Sequence, residues 1–150
     1  MKQLNFSGIL LILLLGFLSI GALYGGLALI IKPDGSLFEM PTDILQYSPF
    51  KNFLIPGIIL FFSFGVTPIY IIYAIFKRPD NRFLQKLNLV YDYHFSWTFS
   101  VYIGFALIIW INVQTLLFNA VEIIHTLYST YGIVIVCLAL LPKTRQYFKL

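Results

Sequence analysis

Charged residues are scarce in this chain: they make up 11% of its 150 residues, while 59% are hydrophobic. An ordinary soluble domain carries roughly 25% charged residues. A soluble domain of this size also has too much surface for its volume to hide so many apolar side chains. The scarcity of charge therefore argues against an ordinary soluble domain and favours a protein whose apolar side chains contact lipid.

Cysteine is nearly absent as well, with a single residue, Cys137. One thiol excludes an intramolecular disulfide and does not build a zinc site alone. Because Cys137 lies in an apolar run, we expect it to be a small packing residue. The sequence also lacks a phosphate-binding glycine loop, a nucleophile elbow, a His-Glu-x-x-His motif and a Cys-x-x-Cys motif. No familiar catalytic motif therefore identifies an activity.

Long apolar windows are what the sequence does contain. No charged residue lies between Lys2 and Lys32, and none lies between Lys51 and Lys77. A membrane-spanning helix needs about 20 mostly apolar residues to cross roughly 30 Å of hydrocarbon. Strand-like alternation is absent, and an open sheet leaves backbone groups unpaired in lipid. The sequence thus predicts one all-α domain over residues 1–150, an integral membrane four-helix bundle. Its predicted spans are 9–31, 53–76, 95–118 and 123–141.

The basic residues are distributed unevenly between the two sides of these spans. Lys and Arg concentrate in the cytoplasmic loops of membrane proteins. Of the ten basic residues, one side holds Lys32 and Lys51. The other side holds the remaining eight: Lys2, Lys77, Arg78, Arg82, Lys86, Lys143, Arg145 and Lys149. We therefore predict that both termini are cytoplasmic and that a long external loop joins the first two helices. The net charge of +4 is explained by basic flanks facing anionic lipid headgroups, so no nucleic-acid partner is expected.

Small residues and prolines mark positions within the first two spans. Gly21 and Gly25 form a G-x-x-x-G step, which lets another helix backbone approach closely. This step predicts packing within the bundle, with a homo-oligomer as the alternative. Pro68 removes a backbone donor from the second span, so a kink is expected near it. That kink either shapes the helix or serves as the hinge of a transporter.

The two longer loops are also predicted to be ordered. The lid, which we define as residues 32–51, is too apolar to be fully solvated and is expected to fold back over the bundle. Within it, Thr42 is predicted to cap a short helix, and Ser48 followed by Pro49 is predicted to open the second span. The loop 77–93 alternates basic and apolar residues, which favours a short helix in the lipid interface. The same basic face is an alternative docking site for a membrane protein partner.

Polar residues gather near the predicted external side of the third and fourth spans. Asn112, Thr115 and Asn119 recur at the i, i+3 and i+7 positions of one helix face, and Glu122 and His125 follow at i and i+3. Polar groups at membrane depth are costly, so these five are candidate ligand-binding residues. Alternatively, Glu122 is a solvated turn residue. A di-iron Glu-x-x-His site needs two copies of that pair plus further glutamates, and the chain has one copy and two Glu, so no metal or cofactor is expected.

A second candidate cluster, Asp92 and His94, precedes the third span. Tyrosine and tryptophan neighbours are typical of the aromatic belt at a membrane interface, which favours anchoring. The alternative is an acid/base pair at the headgroup plane. In the predicted topology His94 and His125 lie at opposite membrane faces, about 30 Å apart, so they do not share a haem.

Several short strings of the sequence resemble a known pattern. They are Pro33-Asp34-Gly35, Met40-Pro41, Ser48-Pro49-Phe50, Ile55-Pro56-Gly57, the segment 97–114 and Leu141-Pro142. In these strings the chain is similar to small four-helix bacterial membrane proteins of unknown function. The resemblance implies a multi-pass protein of the bacterial inner (cytoplasmic) membrane, and it implies no activity.

Three functions remain open at this point. Because no charge lies deep in any span, we expect first a non-catalytic accessory or lipid-interacting component whose partners are membrane lipids. The alternatives are an enzyme or binding protein for a lipid-like ligand near the external face, and a small transporter. An elongated apolar cavity beside Asn112 and His125 favours ligand binding, whereas solid packing there argues against it.

Overall fold

The computed structural model describes residues 4–119 and 122–150, and the elements there are helical. In chain order the helices are α1 (Phe6–Ile31), α2 (Leu54–Lys77), α3 (Arg82–Lys86), α4 (Phe95–Phe118), α5 (Ile123–Leu140) and α6 (Pro142–Phe148). Four of them, α1, α2, α4 and α5, are long and apolar enough to cross a membrane. The β-structure within the described residues is one isolated bridge, between Tyr93 and Lys149. The prediction of an all-α protein with four apolar helices is therefore confirmed.

The observed helix ends lie close to the predicted spans. The largest difference is at α1, which begins at Phe6 rather than at residue 9. Asn5 explains this earlier start, because its side-chain oxygen accepts a hydrogen bond from the backbone N–H of Gly8 at 3.0 Å. Such an N-cap satisfies one of the donors that a helix leaves free at its first turn.

Glycine allows α1 and α2 to pack with their backbones close together. A Cβ placed on Gly26 meets the backbone nitrogen of Phe61 at 2.7 Å, so only glycine fits at this crossing. Ser19, also on α1, donates a hydrogen bond of 2.6 Å to the carbonyl of Gly65 on α2. By contrast, a Cβ on Gly21 meets nothing within 4 Å, and one on Gly25 meets only the Leu60 side chain at 3.4 Å. The close backbone approach between α1 and α2 thus uses Gly26, one position beyond the predicted glycine step.

Helices α4 and α5 form a second tightly packed hairpin. A Cβ on Gly104 meets the carbonyl oxygen of Gly132 at 2.9 Å, and a Cβ on Gly132 meets that of Gly104 at 2.8 Å. Further along the pair, the indole N–H of Trp97 donates to the carbonyl of Ala139 at 2.8 Å. These contacts hold the two helices together along the second half of α5, from Gly132 to Ala139.

The two hairpins are joined at the end of the bundle that carries the chain termini, which we call the basic end. The hydroxyls of Ser7 and Thr144 share a hydrogen bond of 2.6 Å there, and the Arg78 guanidinium donates to the carbonyl of Tyr147. Nearer the middle, the Tyr131 hydroxyl donates to the carbonyl of Leu14 at 2.7 Å. These bonds cross between α1 and α2 on one side and α5 and α6 on the other.

The lid covers the opposite end, which we call the lid end. Leu45 of the lid, Leu29 of α1 and Phe53 before α2 form a buried apolar cluster, against which Phe118 packs. The lid also contains two 3₁₀ turns, Ser36–Phe38 and Thr42–Leu45. The expectation that residues 32–51 fold back on the bundle agrees with these contacts.

Two local predictions in the lid are wrong in detail. Ser48 and Pro49 do not open the second span; the Ser48 hydroxyl instead accepts from the backbone N–H of Phe50 at 3.1 Å, which closes a local turn. Helix α2 begins at Leu54, whose N–H is bonded to the Asn52 side chain at 3.1 Å. Thr42 belongs to its 3₁₀ turn and does not cap it through its side chain.

Helix α2 contains a π-helical segment, Leu60–Val66, which ends two residues before Pro68. Proline has no N–H, so a regular α-helical ladder loses a bond at this point. The wider turn is stabilised by Thr67, whose backbone N–H and hydroxyl both donate to the carbonyl of Phe62, the hydroxyl at 2.8 Å. The irregularity expected near Pro68 is therefore a π segment, a feature that often bends helices.

Candidate functional site

An apolar cavity of about 710 Å³ lies at the lid end of the bundle. Its first wall is the α1 face that carries Leu18, Gly21, Ala22 and Gly25, where the missing glycine side chains leave room. The facing wall belongs to α4 and α5, and the lid contributes residues 38–41 and Ile44 at one end. The cavity therefore occupies the space that the two hairpins leave between them beneath the lid.

The wall on α4 follows from helical periodicity. Its residues are Leu107, Trp110, Ile111, Gln114 and Phe118, a spacing that places side chains on one face of a helix. At roughly 1.5 Å per residue, this stretch extends about 16 Å along the helix axis. The cavity is consequently elongated, and it runs parallel to the helices towards the middle of the bundle.

The polar groups of the cavity include a capping box at the start of α5. The Glu122 carboxylate accepts the backbone N–H of His125, and the Glu122 backbone N–H donates to Nδ1 of His125 at 3.1 Å. Because Nδ1 acts as an acceptor, the proton of the neutral ring lies on Nε2. This arrangement holds both side chains in place at the cavity wall and contributes about 1 kcal/mol to the stability of the helix start.

The cavity brings together only part of the predicted ligand-binding set. Glu122 and His125 line it, whereas Asn112, Thr115 and Asn119 are absent from its lining. The Asn112 amide donates to the carbonyl of Ile108 at 2.7 Å, and the Thr115 hydroxyl donates to that of Ile111 at 3.0 Å. Asn119 follows the end of α4 with a left-handed backbone, at φ 49°.

Sequence reasoning missed Gln114, a polar residue of the cavity that Glu39 of the lid also lines. The sequence spacing does indicate Gln114 as a lining residue, since it lies four residues after Trp110 and seven after Leu107 on the apolar face of α4. Glu39 of the lid follows the turn Ser36–Phe38, and its left-handed backbone, φ 53°, reverses the chain there. After that reversal, Glu39 and Met40 line the cavity.

The second candidate cluster lies at the basic end, far along the bundle from the cavity. Both ring nitrogens of His94 are engaged: Nδ1 accepts from the Ser96 N–H at 3.3 Å, and Nε2 lies 3.2 Å from the carbonyl of Pro79. The Asp92 side chain is exposed, and its backbone carbonyl accepts from the N–H of Leu150 at 2.9 Å. His94 thus caps α4 and ties it to the loop after α2; an acid/base role with Asp92 stays a prediction.

The surroundings of His94 favour its neutral form. Burial lowers the pKa of His94 below its ordinary value of 6.5, and the nearby positive charge of Arg78 lowers it further. The hydrogen bond to the Pro79 carbonyl acts in the opposite direction and raises the pKa. The neutral ring fits the geometry, because Nδ1 needs a free lone pair to accept the Ser96 N–H.

Within residues 4–119 and 122–150, no three His, Cys, Asp or Glu side chains are grouped closely enough to hold a metal ion. Comparisons of the chain with protein-family models, with curated proteins and with solved structures found no match. The cavity and the charges around it are therefore the features of the chain that indicate a function.

Proposed function

We propose that this chain is a multi-pass membrane protein that binds a lipid-like amphiphile in the cavity beneath the lid. The observation that carries the proposal is the elongated, mostly apolar cavity of about 710 Å³ whose lining includes His125. Small-molecule sites are typically concave, apolar, about 300–1,000 Å³ in volume and furnished with a few polar groups. The distribution of polar side chains at one end and apolar side chains along the length matches an amphiphile.

Binding agrees with the cavity better than transport does. The deep part of the cavity is lined by Leu18, Leu60 and Leu107, so the apolar walls continue towards the centre of the bundle. A transport pathway for a charged solute usually needs ionisable or polar groups at that depth. A non-catalytic accessory role in the membrane agrees with this proposal, because a lipid-binding protein fulfils such a role without catalysis.

The proposed location is the bacterial inner membrane, with both termini and the basic end in the cytoplasm. Support for this orientation comes from the basic residues, eight on the side of the termini against two on the side of the lid, ten in all. The Arg145 guanidinium lies 4.6 Å from the ring centre of Tyr93 and 5.4 Å from that of Trp97. Cationic and aromatic side chains stacked in this way are typical of a headgroup interface.

The binding proposal is tested by filling the cavity. In Gly21→Phe the new side chain projects from a position where a Cβ meets no atom within 4 Å, so it occupies the cavity without a backbone clash. Ile20→Phe is the matched control, because Ile20 is the adjacent residue and is 71% exposed on the outer face. The measurement is mass spectrometry of small molecules that copurify with each variant from membranes.

We expect an amphiphile to copurify with the wild-type protein and with Ile20→Phe, and to be lost from Gly21→Phe. Equal amounts of every copurifying lipid in all three preparations contradict the binding proposal. Melting temperatures of the purified variants show whether Gly21→Phe retains the fold.

The orientation is tested by cysteine labelling of intact cells. Single cysteines at Asp43 in the lid and at Asp80 after α2 are introduced into a Cys137→Ala background, since Cys137 is exposed. A membrane-impermeant maleimide is expected to label the cysteine at position 43 only. Labelling of position 80 alone reverses the proposed topology.

A further inference from the structure

The charged residues of the cavity all carry the same sign. They are Glu39 from the lid and Glu122 from the start of α5, and the lining contains no lysine or arginine. The chain as a whole is basic, with a net charge of +4, so this local excess of negative charge runs against its overall balance. The two lysines of the lid, Lys32 and Lys51, lie outside the lining.

The two carboxylates come from different elements and lie at the end of the cavity closed by the lid. Glu122 is fixed there by its capping hydrogen bond to the His125 N–H, which uses part of its acceptor capacity and leaves its charge in place. Glu39 and Glu122 are both exposed at the rim. Charges of one sign at a cleft with apolar walls still attract a ligand of the opposite sign, and salt weakens this attraction.

Headgroup chemistry follows from this charge pattern. A phosphate or carboxylate head meets two negative side chains and finds no lysine or arginine among the lining residues to pair with. An ammonium head finds two carboxylates and the aromatic ring of Tyr128 among the lining residues, and cations are attracted to aromatic rings. Charge complementarity therefore separates cationic from anionic amphiphiles.

We propose that the cavity selects an amphiphile with a cationic, amine-type headgroup, held near Glu39 and Glu122 while its apolar chain extends along α4. This inference rests on the proposed binding function and specifies the class of ligand. It assigns Glu39 and Glu122 as the residues that determine headgroup specificity.

The test compares three probes that share one ω-brominated alkyl chain and differ only in the head: trimethylammonium, hydroxyl and phosphate. Bromine quenches tryptophan on contact, and Trp110 lines the cavity, whereas Trp97, the second of the two tryptophans, lies at the basic end. The full-length protein in non-ionic detergent is titrated with each probe. Trp110→Phe identifies the part of the quenching that comes from the cavity.

We expect the ammonium probe to reach half-quenching at a concentration about tenfold below that of the alcohol probe, which corresponds to about 1.4 kcal/mol. The phosphate probe is expected to be weakest, although the net charge of +4 favours it in any non-specific encounter. Glu122→Gln removes the charge but keeps an oxygen for the cap, and we expect it to reduce the preference several-fold. Glu39→Gln is expected to act in the same direction.

Asp43→Asn is the matched control, because Asp43 is an exposed lid carboxylate outside the cavity lining. It is expected to leave the order of the probes unchanged. Equal quenching by all three heads, a preference for phosphate, or a preference that survives both glutamate variants overturns the headgroup inference alone. If none of the probes quenches the wild type more than it quenches Gly21→Phe, the binding function itself fails.

Discussion

Replacing Gly104 by alanine tests whether the α4–α5 hairpin depends on direct contact between backbones. An added Cβ at Gly104 lies 2.6 Å from Cγ2 of Val136 and 2.9 Å from the carbonyl oxygen of Gly132. Side-chain rotation relieves the first contact, but the second involves backbone and requires the helices to move apart. Gly21→Ala is the reference, since its Cβ meets nothing within 4 Å.

The difference between these two variants follows from two opposing effects. In both, alanine favours a helix interior over glycine by about 1 kcal/mol. In Gly104→Ala alone, overpacking costs about 1–3 kcal/mol. We therefore expect Gly104→Ala to be less stable than Gly21→Ala by about 1–3 kcal/mol. At about 2–4 °C per kcal/mol for a chain of this size, the two melting temperatures differ by about 2–12 °C.

The assay is thermal unfolding in one detergent, followed by the loss of helical circular dichroism. Gly132→Ala approaches the same crossing from α5, where its Cβ meets the Gly104 carbonyl at 2.8 Å, and it should also melt below Gly21→Ala. If Gly104→Ala melts at the temperature of Gly21→Ala or above it, the helices are not held by this close approach. The reasoning about glycine at the hairpin is then refuted.

Two further predictions concern hydrogen bonds. Because burial lowers the pKa of His94, the unfolded chain binds a proton that the folded chain resists, so stability should decrease as the pH falls below about 6.5 and recover as it rises. Melting temperatures measured from about pH 8 to about pH 5 should show this loss of stability. His94→Asn keeps an N-cap acceptor and should make the melting temperature less dependent on pH. An unchanged pH dependence in that variant refutes the assignment of the effect to His94. Ser19→Ala removes the donor to the Gly65 carbonyl and should cost about 1 kcal/mol in detergent unfolding, while Ser63→Ala in the π segment should be nearly neutral. Equal melting of the two serine variants contradicts the second prediction.

Features that depend on the local sequence were predictable, and those that depend on a distant partner were not. The four apolar helices follow from charge-free windows, because crossing lipid is a requirement on each segment separately. The face of α4 that lines the cavity depends on where α1 leaves space, which no local pattern specifies. The predicted ligand-binding set began at Asn112, whose side chain bonds to its own helix. Gln114, on the neighbouring face of α4, lines the cavity instead. Ser48 likewise matched a helix start but closes a turn, since α2 begins only at Leu54.

Glycine has two opposite uses on α1, and together they explain why a cavity exists in a bundle with such close helix contacts. Gly26 faces the Phe61 backbone and brings α2 into contact, whereas Gly21 faces space that no side chain fills. In water, such an apolar void is costly because burial drives helices together. In a bilayer the surrounding chains are as apolar as the cavity wall, so no comparable force closes the gap. Under the proposed function an alkyl chain occupies the opening at Gly21, and the polar groups at the lid end determine which amphiphile binds.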